Sequence, residues 1–294
     1  KLIDPVQEKL IEDKKSSKGP IKKYPLDPVL QWNFESGLKD QILNLKANLK
    51  NGAAVENGRL ILRKGGYAVT DNLPIEISEK TLSSWVQLDN LNQRAGGVIS
   101  IQNLSGGVFD SIVFAEKEPR KWMSGSNGFS RTKSFPFTPP ENLAHNQLVH
   151  IAITYSPDGK ITGYRNGKMY GKPYTTSLFK YQKNKSVLTF GVRHLPASPQ
   201  RMLHGSISRA SVYDRALTQN EIHAIFHPDS YVSLKEAEKS LSSEEMNLYT
   251  KLTAQRDSLE KRLQELETTV VADKPNLQDF ALALFNMKEF IYLK

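Results

Sequence analysis

LVHIAITYSPDGKITGYRNGKMYG, residues 148–171, decides the fold class. Its first half is rich in β-branched and aromatic residues and stops at Ser156-Pro157-Asp158-Gly159, a turn tetrad. KITGYR then runs to Asn166-Gly167, the strongest short-range hairpin signal, because both residues accept positive φ. This turn chemistry supports an antiparallel sandwich or barrel.

The same grammar extends in both directions. VLQWNF, GRLIL, YAVT, TLSSWVQL, GGVISIQ and FDSIVFA precede this stretch, and SVLTFGV and ISRASVY follow it. Short β-rich runs at close spacing, with no amphipathic helices between them, mean a mainly β sandwich or barrel over residues 29–228.

Helical signals flank this region. Asp4-Pro5 with Gln7 starts a short N-terminal helix over 4–15, and the Lys, Ser, Gly and Pro that follow complete a helix-and-linker segment, 1–28. Thr218 with Glu221 is a capping box for EIHAIFH, which Pro228 stops. In the C-terminal helical segment, 229–294, Ser242 with Glu245 caps an amphipathic helix over 243–268. There Leu252, Leu259 and Leu266 repeat every seven residues, and a last apolar helix, DFALALFNMKEFIYL, lies behind Pro275. This repeat reads as a helical hairpin or as a dimerising zipper.

Composition removes several chemistries. With no cysteine, there are no disulfides, thiolate metal sites or cysteine nucleophiles within these residues. The formal charge of +9 raises nucleic acid, anionic lipid or an acidic polysaccharide as partners, but Lys and Arg are spread along the chain without a recognised nucleic-acid motif. No apolar run reaches membrane-helix length, and KLIDPVQEKLIEDKK has no signal-peptide middle, so the chain reads as beginning within a larger protein.

VLQWNFESGLKD (29–40), GRLIL, TLSSWVQL, residues 148–171 and GSISRASVYDRALTQNEI (205–222) resemble, in that order, the laminin G-like jelly-roll family of concanavalin A-like fold. NQRAGGVISIQ (92–102), residues 106–132 and FGVRH (190–194) are similar to the laminin G-like domain of large planctomycete proteins that also carry cytochrome c-like domains. ALALFNMKEFIYLK is similar to the C-terminus of those proteins. The resemblance implies an exported chain, periplasmic or at the cell surface, with carbohydrate or partner binding as its role. Some relatives hold a structural calcium near an Asp pair and a Ser-Gly-Asn-Gly turn. This chain has Ser208-Arg209 and Gln41-Ile42-Leu43-Asn44 there, which leaves Glu35 and Asp40 as the calcium candidates.

Catalytic patterns are missing from the sequence. No strand carries the alternating carboxylates that a retaining glycosidase needs on one face. Asp110 and Glu116 are six apart, roughly 20 Å by strand rise. His223 and His227 stand one helical turn apart without a third ligand, and Ser124–Gly128 reads as a loop rather than a nucleophile elbow. Glu116, Arg120, Trp122, Asn127 and Arg131 bring together an aromatic ring and planar polar groups suited to sugars, and on the family topology Arg193 and His194 join them. The expectation is a non-catalytic glycan-binding module of a multidomain protein. The alternatives are an interaction domain packing on its neighbours, and a glycoside hydrolase or lyase.

Overall fold

The paired hairpins form as their turn residues dictate. In the computed structural model, which describes residues 26–228 and 238–270, β10 (Val149–Tyr155) pairs with β11 (Lys160–Arg165), and β11 with β12 (Lys168–Met169). Asn166 and Gly167 both take positive φ, +49° and +75°, as a two-residue hairpin between right-twisted strands requires.

Two antiparallel sheets make up the domain. The first follows the order β12, β11, β10, β6 (Lys80–Leu88), β15 (Gly205–Tyr213), β4 (Arg59–Leu62), β3 (Ala54–Glu56), with β1 (Leu30–Trp32) also on β15 and β13 (Tyr174–Thr175) on β11. The second follows β2 (Ala47–Lys50), β5 (Tyr67–Thr70), β14 (Ser186–Phe190), β7 (Gly96–Asn103), β8 (Phe109–Phe114), β9 (Trp122–Ser126). Alternation along the strands turns Leu82 and Val86 of the first sheet, and Ile112, Phe114, Leu188 and Phe190 of the second, into one buried cluster. Trp32 meets Phe190 edge-on, ring centroids 5.3 Å apart, and donates its indole N–H to the Leu38 carbonyl at 3.1 Å. Rings of this size contribute about 1.5–3 kcal/mol each by burial.

A charged tie crosses this apolar interior. Lys80 on the first sheet places its ammonium 3.0 Å from Asp110 Oδ2 on the second, and Asp110 Oδ1 accepts from Arg131 Nε and Nη2 at 3.0 and 2.9 Å. Lys80 and Asp110 are essentially unexposed, and burial lowers the lysine's pKa against the opposing pull of Asp110.

The outer faces are dressed differently. Helix α1 (Gln219–Phe226) starts at the expected capping box, Glu221 N–H donating to Thr218 Oγ1, and sets Ile222 and Ile225 against Ala152 and Tyr164 on the first sheet. On the second sheet the chain 191–204 lies backbone against backbone over a seat of glycines. A Cβ on Gly97 would meet the Arg193 backbone at 2.5 Å, and one on Gly106 the Leu195 carbonyl at 1.7 Å. Ser100 Oγ and Thr189 Oγ1 donate to the Val192 carbonyl, and the Leu195 N–H to Gln102 Oε1 at 2.7 Å. The segment 191–204 is thus a strap fastened across that face.

Helix α2 (Ser243–Val270) has the expected cap at Ser242 and Glu245 and runs two residues beyond the expected end. Leu248, Leu252 and Leu259 are about half exposed along it. The N-terminal helix expected at 4–15 and the terminal helix behind Pro275 lie outside the described residues.

Candidate functional site

The residues singled out in the sequence do gather, but mostly around internal contacts. Residues 122–126, read as leading into a loop at Ser124, form strand β9, paired with β8 from Phe114↔Trp122 to Asp110↔Ser126. Ser and Gly carry little β-propensity, so only the partner strand reveals it. Trp122 points into the sandwich, 2% exposed, against Phe114, and donates its indole N–H to Glu141 Oε2 at 2.7 Å. This corrects the expectation of a sugar-stacking ring, because a face buried in the core is closed to a ligand.

The remaining polar candidates hold loops. Arg131 is spent on Asp110 and the Phe109 carbonyl, and Asn127 Oδ1 accepts from Arg131 Nη2 at 3.2 Å. Arg120, exposed at the turn before β9, donates Nε to the Glu141 carbonyl at 3.1 Å. Glu116 is buried against Arg193, with Arg201 at 3.6 Å, and His194 stacks on Phe109 with centroids 4.6 Å apart. Arg193 therefore joins Glu116, while His194 anchors the strap on Phe109 instead. Burial and nearby Arg201 bring Arg193 down to about 10, which leaves it charged at neutral pH.

The calcium candidates do not form a cage. Asp40 Oδ1 accepts from the Ile42 and Leu43 N–H groups and Oδ2 from Leu45 at 2.6 Å, so its carboxylate closes a tight turn. Glu35 is exposed, and among the described residues no three His, Asp or Glu side chains gather as metal ligands. The His223 and His227 rings lie 4.8 Å apart, and among the described residues no third His, Asp or Glu joins them as a ligand group.

The open site lies on the outer face of the first sheet. Strand β15 pairs with β4 at Gly205–Ile207 and with β1 at Ala210–Val212, and its pairing with β6 shifts register between Ile207 and Arg209. A bulge where a strand changes partner parts the sheet. A cavity of about 480 Å³ opens there, lined by Asn33, Glu35, Arg59, Trp85, Arg209 and Phe226 among others. A second, of about 570 Å³, lined by Arg63, Gln87, Asp89, His145 and Ser206, shares Asn57 and Arg59 with the first.

Trp85 is the aromatic of this groove. It is half-buried, stacked on Phe226 at 12° with centroids 5.4 Å apart, and backed by His150, whose Nε2 meets Ser83 Oγ at 2.9 Å. Its indole N–H is buried without a partner in the protein, a deficit of about 1–3 kcal/mol. Burial, with Arg209 nearby, pushes His150 down to about 3, so it is neutral at physiological pH. Arg59 Nη1 donates to Gln87 Oε1 at 3.0 Å, and Arg63 faces Asp89 at 3.4 Å. Sequence reading passed over this set because residues 59, 85 and 209 are distant in the chain. The available signal was Trp85 on the side of TLSSWVQL opposite Leu82, Val86 and Leu88.

Two antiparallel sheets, closed by a final strand and a capped helix, define a two-sheet jelly roll. Residues 62–223, more than half of the 294, match the model of the concanavalin A-like lectin/glucanases superfamily, and the chain belongs to that family. Domain 4 of AbnA, a GH43 extracellular arabinanase from Geobacillus stearothermophilus solved with arabinotriose, is similar at 14% identity and a TM-score of 0.52, covering 68% of this chain and 98% of that one. Trypanosoma rangeli sialidase is similar at 16% identity and a TM-score of 0.52, covering 76% of this chain and 38% of the sialidase. At these identities the likeness is one of fold. No curated protein matches the chain.

Proposed function

We propose that the sandwich is a non-catalytic glycan-recognition module, carried by a larger exported protein as its resemblance to planctomycete multidomain proteins implies. The observation that carries this reading is the open groove on the first sheet, where a half-buried tryptophan meets planar amide and guanidinium groups. Sugars are held this way, with apolar C–H faces against a ring and hydroxyls on multidentate donors and acceptors. The arabinotriose in the similar arabinanase domain agrees with that chemistry.

A binding role without catalysis is supported by the buried carboxylates. Asp110, Glu116 and Glu141 each meet a cation, and Glu141 is held down at about 2, the opposite of a general acid's requirement. The test is a glycan array probed with the full chain, in calcium and in chelator, with product release assayed alongside. Binding in both buffers without turnover supports the proposal. A blank array with folded protein turns the reading to an interaction domain, which the exposed Leu248, Leu252 and Leu259 of α2 would serve.

A further inference from the structure

The two cavities adjoin at Asn57 and Arg59, which line both, and they differ in chemistry. At the parted end, Trp85 and Phe226 offer apolar surface beside Asn33 and Arg209. At the other end, over β4, β15 and β6, the lining is polar, with Gln87, Ser206 and Arg63. Register explains the layout. Arg209 lies opposite Trp85, while Ser206 lies opposite both Gln87 and Ile61. Trp85 and Gln87, two residues apart on one strand, share a face and stand roughly 7 Å apart along it. Arg59 lines both sections and bonds to Gln87 between them.

The charges of the lining balance. Arg59, Arg63 and Arg209 stand with Glu35, Glu56 and Asp89, and Arg63 faces Asp89 at 3.4 Å. An anionic polymer would find no surplus of cations here. A chain of neutral hydroxyls, each both donor and acceptor, suits a lining of this kind.

We propose that the groove takes an extended neutral glycan chain spanning both sections, one sugar against Trp85 and later ones over Arg59, Gln87 and Arg63, rather than a single terminal sugar. This inference rests on the glycan reading above and adds to it a length and a charge class.

The experiment is calorimetric titration of the full chain with arabino- and cello-oligosaccharides from disaccharide to hexasaccharide, with galacturonan oligosaccharides as the acidic comparison. Expected is affinity that rises about tenfold from disaccharide to tetrasaccharide in one neutral series and then levels off, with the acidic series weaker. Arg63→Ala should lower tetrasaccharide affinity several-fold and leave the disaccharide unchanged. Trp85→Ala, which removes the aromatic surface from the lining, should weaken every length. Affinity independent of length, or preference for galacturonan, overturns the inference while the glycan reading stands. An array hit with both neutral ladders blank does the same, whereas a blank array and blank ladders overturn both.

Discussion

Replacing Glu141 by Gln isolates the most heavily bonded carboxylate of the described residues. Its Oε1 accepts from Arg165 Nη2 at 2.8 Å and from the N–H groups of Asn142, Leu143 and Ala144, while Oε2 accepts from Trp122 at 2.7 Å and Arg165 Nε at 2.7 Å. Burial opposes ionisation, but Arg165, Trp122 and the backbone donors outweigh it and bring the pKa from 4.5 to about 2. A depressed carboxylate stabilises the fold above its unfolded pKa and loses that contribution as pH falls through the folded value. The shift corresponds to about 3 kcal/mol at neutral pH, fading between roughly pH 4.5 and 2. Glu141→Gln should therefore lower stability by about 3 kcal/mol at pH 7, or about 6–12 °C in Tm for a domain of this size. Urea denaturation of both proteins from pH 7 to pH 2.5 reads the difference. A gap below about 1 kcal/mol at pH 7, or one that stays constant down to pH 2.5, would refute the reasoning.

Three further perturbations have set directions. Asp110→Asn strands Lys80 in the core and should cost about 3–5 kcal/mol in urea denaturation, since a buried ion pair broken on one side leaves an uncompensated charge. Gly106→Ala puts a methyl 1.7 Å from the Leu195 carbonyl at a φ of +70° and should cost about 2–4 kcal/mol, whereas Gly52→Ala, at φ +81° with open space around it, should cost about 1 kcal/mol. Thermal melts of the pair test whether the strap is seated as described. His150, neutral in the fold with its pKa lowered to about 3, contributes stability above its unfolded value near 6.5 that is lost as pH falls toward 3. His150→Gln should flatten the pH dependence of stability between about pH 6.5 and 4.5, above the range in which Glu141 titrates.

Much of the fold was legible because local chemistry and tertiary context agree. Asn166-Gly167, Ser156–Gly159 and the two capping boxes act through their own backbones and appear where expected. Strand β9 was not legible, because Trp-Met-Ser-Gly-Ser becomes a strand only through pairing with β8. The candidate site failed for a related reason. An aromatic with planar polar neighbours in sequence describes a sugar site and a loop anchor equally well, and burial decides between them. Trp122 is claimed by Glu141, and Arg131 by Asp110. The groove depends on β15 changing partners at its bulge, a long-range property that no local window contains.

The most direct test of glycan recognition at the first sheet is hydrogen exchange of the full chain with and without the polysaccharide that the array retains. Slowed exchange in β4, around Ser208 and Arg209, and in β6 near Trp85 is the predicted result. Protection confined to the strap 191–204 and strands β8 and β9 would contradict the account, because it would place the ligand on the opposite sheet.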